Sequence, residues 1–312
     1  MYDRYDPRDD IRDDARDGGR DLSRGGRGGG DAPDRRESDA RDVFTRNLNL
    51  PCDREREPVR DRDRVYDIDG AEARMLATVG AFRVVAERDL SVLCDDTRTP
   101  RQSIRHLEDE GLIRRSPLDA NDRAVVLTDR GRALLEANRD ARDERTHEPR
   151  QAFYAGLRKP RELTHDVKVY RAYQRAEERI RGQDGRVNRV VLDYEMKRDY
   201  QRFLHERNRG KKDCDGRPDR DAHEIALWAR EHQLPYDDGH VHFPDARIEY
   251  DDRDGRSRFE DLEVVTSHYR GAHAGAAVKS GFTCYVSVRA SAGGRGGGWA
   301  GRPPWDIEEL LS

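Results

Sequence analysis

The chain has 312 residues, of which 34% are hydrophobic and 40% charged, and its net charge at pH 7 is −4. That length suits about two domains, and so small an apolar share argues against one core spread over all of it. Acids and bases are intermixed, so bulk charge does not mark a nucleic-acid binder and any basic surface has to be local.

Cys52, Cys94, Cys214 and Cys284 are far apart and match no zinc spacing, which fits free thiols in a reducing cytoplasm. No apolar run approaches the roughly 20 residues of a bilayer span, and the N-terminus has no signal-peptide core. The expectation is a soluble, cytoplasmic protein without a membrane partner.

Residues 1–37 are built almost wholly from Arg, Asp and Gly, with G-G-R-G-G-G at Gly25–Gly30. Such a segment cannot offset the entropy of ordering and is expected to be a disordered, solubilising tail. From Ala40 to Val65 the chain stays charged but gains Val43, Phe44, Leu48 and Leu50, the pattern of a docking segment. Order is expected from Tyr66. A helix over 71–79 lies between Gly70 and Gly80, a short piece over 82–85 follows, and a second helix begins near Ala86 and Glu87. Leu90, Val92 and Leu93 form its apolar side.

The most informative stretch is T-P-R-Q-S-I-R-H-L-E-D-E-G-L-I-R-R from Thr99. Ile104, Leu107, Leu112 and Ile113 make one apolar stripe. Thr99 is placed to cap a helix with Pro100 in its first turn, and Gly111 to end it. A short apolar strand, a polar turn over 119–123 and a second strand over 124–127 come next. A helix over 132–143 with Thr128 as its cap closes the unit.

Arg139 to Arg161 is charged, contains Pro149 and Pro160, and reads as a linker. Beyond it the pattern predicts an amphipathic helix over 164–180, a strand over 189–194, and helices over 195–208 and 223–232. Two strands over 240–250 and 258–266 are joined by a turn at 251–255. A helix over 273–281, a strand over 283–289 and a Gly-rich tail end the chain. The resulting division is 1–65 tail and docking segment, 66–143 first domain, 144–162 linker, 163–290 second domain and 291–312 tail.

The R-Q-S-I-R-H-L-E-D-E-G-L-I-R-R passage and the closing V-V-L-T-D-R-G-R-A-L-L resemble the winged helices of MarR-like and plasmid replication-relaxation proteins. The resemblance implies duplex DNA as partner, with the 100–110 helix in the major groove and the wing along the backbone. Arg101, Gln102, Arg105 and His106 would then face DNA, and Arg114, Arg115 and Arg123 would touch phosphates. Against this, Asp109, Glu110 and Asp119 repel phosphate, and winged helices also dock proteins.

A second pattern is P-D-A-R-I-E-Y, then E-D-L-E-V-V-T, then A-A-V-K-S-G-F. It resembles the PD-(D/E)-x-K nucleases, in which two carboxylates on adjacent strands hold Mg²⁺ and a lysine stabilises developing charge. Asp245 and Glu263 are the candidate catalytic and metal-binding carboxylates. Asp261 and Glu263 share one strand face and Glu260 points away. The usual lysine position is Val265, and Lys279 on the following helix is the candidate substitute, so a degenerate site is expected.

His240 and His242 would share a strand face near His268 and His273, but nothing completes a tetrahedral zinc set. His165-Asp166 resembles a His-Asp pair of replication-relaxation proteins and has the plainer role of complementing the helix dipole. No Ser-His-Asp set, P-loop or dinucleotide fingerprint occurs.

The fold expected is α+β: a winged-helix domain followed by a restriction-endonuclease-like α/β domain, with a disordered N-terminal tail. The order of parts resembles the replication-relaxation family of mobile elements. It implies a non-catalytic DNA-binding protein of plasmid or mobile-element replication or mobilisation, partnered by double-stranded DNA and a relaxase or replication protein, and able to form a homodimer. No cofactor is expected, Mg²⁺ being the one ion the carboxylates could take. The alternatives are a MarR-like transcriptional regulator and an active Mg²⁺-dependent nuclease.

Overall fold

Asp69 and Glu72 open the first long helix with a capping box: the Asp69 carboxylate accepts the Glu72 N–H at 3.0 Å, and the Glu72 carboxylate accepts the Asp69 N–H at 3.2 Å. This helix, α1 (Gly70–Phe82), follows the hairpin β1 (Glu57–Arg60) and β2 (Val65–Ile68). It runs straight through Gly80, where the sequence suggests a stop. The absent side chain leaves room for Phe153, Leu135 and Leu127, which a Cβ would meet at 2.9–3.2 Å. The computed structural model describes residues 43–94, 99–140, 150–156, 163–208, 218–265 and 282–286. The expected disordered tail, the 273–281 helix and the Gly-rich C-terminal stretch lie outside them.

β3 (Val84–Ala86) follows, then a 3-10 helix (Glu87–Leu93) where an α-helix is expected. Leu90 and Leu93 are buried, but Val92 points out and is 63% exposed. α2 (Pro100–Asp109), β4 (Ile113–Pro117), β5 (Arg123–Leu127) and α3 (Asp129–Ala137) come next. α3 starts three residues before the predicted helix because the Thr128 hydroxyl accepts the Gly131 N–H at 3.1 Å, so Thr128 itself is the cap. The three strands form an antiparallel sheet in the order β3-β5-β4.

α4 (Leu163–Gly182) buries Leu163, Val167, Tyr170, Tyr173, Ala176 and Ile180, one stripe at three- and four-residue spacing. It leads to β6 (Arg186–Leu192), α5 (Asp193–His205), α6 (Ala222–Glu231) and the short pair β7 (Tyr236–Asp237) and β8 (His240–Val241). β9 (Ala246–Asp251), β10 (Ser257–Val265) and β11 (Thr283–Val286) complete a four-stranded sheet in the order β11-β10-β9-β6. β9 is antiparallel to both β6 and β10, and β11 is parallel to β10. The predicted strand over 240–250 is therefore two strands with a break at 242–245. His242 accordingly does not share a strand face with His240; its N–H is bonded to the Pro235 carbonyl at 2.9 Å.

One buried cluster runs from Phe44 and Leu48 through α1 and the three-stranded sheet to Tyr170, Ile248 and Val264. Phe82 is its hinge point: its ring lies 5.5 Å from Phe44, 4.9 Å from Tyr170 and 4.8 Å from Tyr173. The 43–50 segment is thus core, because Phe44 fills the angle between α1 and α4. Part of the predicted linker is also fixed. Phe153 is buried, the Tyr154 N–H donates to the Gly80 carbonyl at 2.8 Å, and the Gln151 amide bonds both backbone groups of Val190 on β6 at 3.0 and 2.9 Å.

Phe44→Ala should therefore destabilise the protein by about 3–5 kcal/mol, as for a buried aromatic ring. Urea unfolding of the full chain measures it, and a loss below about 1 kcal/mol would contradict a structural role for the 43–50 segment.

Candidate nucleic-acid interface and carboxylate site

α2 is set by Ser103, Ile104 and Leu107, which are buried against the core, so the residues between them point outward. Arg101, Gln102 and Arg105 are exposed on that outer side, with the Arg105 side chain 79% accessible. An open groove of about 1400 Å³ separates the first turns of α2 from the β4–β5 turn, and Arg88, Arg101, Arg105 and Arg123 line it. Arg88 was not singled out in the sequence, since it precedes the helix by more than ten residues.

Two predicted contacts turn elsewhere. His106 faces inward: its Nδ1 lies 3.0 Å from the buried Glu72 Oε1 and its Nε2 3.0 Å from Arg56 Nη1. Burial, with Asp69 beside it, pushes the Glu72 carboxyl above its ordinary range, although His106 and Arg56 pull the other way. His106 therefore ties α2 to α1 and does not join the outer row. Arg115 also lines the groove, but its guanidinium is bonded to Glu108, with Nε donating at 2.8 Å, and Glu87 lies 3.7 Å away. The hydrogen bond from Arg115 holds the Glu108 carboxyl below its usual range. Arg114 and Arg123 are exposed, as is Asp119 in the turn.

At the other end of the molecule the sheet register sets acidic residues in a row. Leu192, Ala246 and Leu262 are paired across β6, β9 and β10. One step further stand Asp193, Asp245 and Glu263, with Cys284 of β11 opposite Glu263. The Asp193 N–H donates to the Asp245 carbonyl at 3.1 Å, which extends the ladder to that row. Glu260 points the other way and pairs with Arg179 of α4, while Asp261 takes a bidentate bond from Arg247 at 2.7 and 2.9 Å.

The Asp245 carboxylate is turned onto the backbone. Its Oδ2 accepts the Val264 N–H at 2.8 Å and lies 3.2 Å from His165 Nε2, in the first turn of α4. His165 Nδ1 is 3.5 Å from Asp166 Oδ1. Held by Asp166 and then Asp245, and against the opposing effect of burial, the His165 imidazole is pushed up from 6.5 to about 10. His165 is thus an internal cation for Asp245. The sequence shows the His165-Asp166 pair, but its partner is 80 residues away and no local pattern points to it. Lys279, His268 and His273 lie outside the described residues. Among the described residues, no three His, Cys, Asp or Glu side chains gather as a metal-ligand set.

No family model matches the chain, and no curated protein and no solved structure matches it.

The His165 pair has a pH signature. Its folded value lies above its ordinary one, so its stabilisation is complete below pH about 6.5 and is lost as pH rises through about 10. His165→Gln should remove that component, so the stability difference between wild type and variant should shrink from pH 6.5 to 10. Urea midpoints across that range measure it, and a constant difference would show that His165 is not the cation inferred.

Proposed function

We propose that this chain binds duplex DNA, with α2 entering the major groove and the β4–β5 turn lying along the phosphate backbone. The observation that carries this reading is the set of exposed arginines, Arg101, Arg105, Arg88 and Arg123, around one groove, of which Arg88 is 3.0 Å from Asp122 and Arg105 is 3.8 Å from Asp109. Arginine on the outer side of a helix supplies bidentate donors for guanine edges, and arginines on a neighbouring turn supply phosphate contacts. The order α1, 3-10 helix, α2, β4, β5, with a three-stranded antiparallel sheet beneath, supports a winged helix. The resemblance to replication-relaxation proteins sets this binding in plasmid or mobile-element replication or mobilisation.

In this reading the four-stranded sheet is a scaffold descended from a nuclease-like fold. Its order of helix, three antiparallel strands and a final parallel strand supports that ancestry. One observation favours the nuclease alternative, namely Asp193 and Asp245, one step beyond the paired ends of β6 and β9, beside Glu263 of β10. On Asp245 Oδ2 a Mg²⁺ ion would compete with the Val264 N–H and with His165, which already hold that oxygen. Metal-dependent cleavage of DNA abolished by Asp245→Asn would establish the nuclease instead.

Arg101→Ala with Arg105→Ala should weaken duplex binding by about 1–3 kcal/mol for each lost base contact. Wild-type affinity should fall steeply with added salt as counterions are released. Electrophoretic mobility shift with random duplex DNA reads both, and unchanged affinity in a folded double variant would remove the assignment.

A further inference from the structure

The chain is dense in arginine, and many of its described guanidinium groups close on a carboxylate of the same fold. A second cleft, of about 630 Å³, gathers several that do not. It is enclosed by α3, residues 150–156, and the junction of β6 with α5, and it shares no residue with the groove at α2. Six arginines line it against two glutamates.

Both glutamates are already engaged. Glu136 accepts from Arg139, whose guanidinium also bonds the Gln151 carbonyl at 2.8 Å. Glu195 accepts the Tyr154 hydroxyl at 2.9 Å and lies 3.4 Å from Arg189, which is itself bidentate on Glu249. Arg83, Arg132 and Arg150 have no carboxylate partner among the described residues. Arg198 has only Asp199, at 3.6 Å on an open surface.

Arg83 is held there against its backbone preference. It stands between α1 and β3 at φ 66° and ψ −45°, a conformation that a side-chain-bearing residue rarely adopts. Its guanidinium lies 5.8 Å from the centroid of the Tyr194 ring, and Tyr194 meets Tyr154 edge-on at 5.9 Å. Strain that delivers a cation to a cleft is the kind that persists where the site uses it.

We infer that this cleft binds the phosphates of a single-stranded nucleic-acid segment. Guanidinium groups with no carboxylate partner among the described residues are placed to recruit an anion, and planar forks match phosphate oxygens. The half-buried rings of Tyr154 and Tyr194 beside them supply π-surface for bases, the combination that single-strand clefts use. The volume is that of a small-ligand pocket and cannot enclose a duplex. The inference stands apart from the duplex site, since the two share no residue.

The test uses the full chain with a short fluorescent oligothymidylate, inorganic triphosphate and duplex DNA as separate probes. Arg83→Gln, Arg132→Gln and Arg150→Gln combined should weaken oligothymidylate binding about tenfold or more. The salt slope should fall by about 2, at roughly 0.7 per phosphate contact on a single strand. Duplex affinity and thermal melting should stay at the wild-type level. Arg150→Lys alone, which keeps the charge, should retain most of the affinity. Unchanged oligothymidylate affinity and salt slope in the triple variant would overturn the cleft. Equal loss in Arg101→Ala with Arg105→Ala would also overturn it, by moving single-strand binding to the α2 groove. Displacement by triphosphate as effective as by unlabelled oligothymidylate would overturn the nucleic-acid assignment in favour of a free polyphosphate.

Discussion

The packing of Phe82 against Phe44, Tyr170 and Tyr173 is the contact on which the rest of the described structure depends. A chain with only 34% apolar residues has little to spend on separate cores. Four rings brought to one point let α1, α4 and the 43–50 segment share a single interior, and both sheets then pack on the same cluster. The α2 groove and the acidic row are therefore set on one continuous support, and both geometries rest on the same buried residues.

The local elements were legible in the sequence where cause is local. Thr99-Pro100 and Thr128 mark helix starts, Gly111 at φ 70° marks an end, and the spacing of Ile104 and Leu107 marks the inner side of α2. Gly80 misled because its small size serves tertiary packing and not termination. The inward turn of His106 depends on Glu72, 34 residues earlier, and the fixing of Arg115 on Glu108 depends on how β4 returns beside α2. Pairings of that range leave no periodic trace. Most of the candidate outer row was visible from Arg101, Gln102 and Arg105, whereas the His165–Asp245 pair required the fold to bring α4 to the start of β9.

Electrostatics in this molecule works by exhaustion. With 60 basic and 64 acidic residues, the informative groups are those left over after internal pairing. Arg171 bonds Asp89, Arg247 bonds Asp261, Arg189 bonds Glu249 and Arg220 reaches Glu206 and Glu224. Arg171–Asp89 and Arg189–Glu249 join elements 82 and 60 residues apart, and where the side chains are well exposed such pairs add little to stability. Their larger effect is on the surface, where they neutralise part of the charge and leave the remaining arginines as the basic groups open to a partner.

The Gln151 amide on β6 has a consequence for assembly. β6 is the outer strand of its sheet, and an outer strand with open N–H and C=O groups invites another chain to pair with it. At Val190 both groups are already taken by one side chain that behaves as a one-residue strand. The short segment that carries Gln151 thus guards the sheet's border at Val190. Loosening residues 150–156 would uncover those two groups and open that point of the border to pairing with another strand.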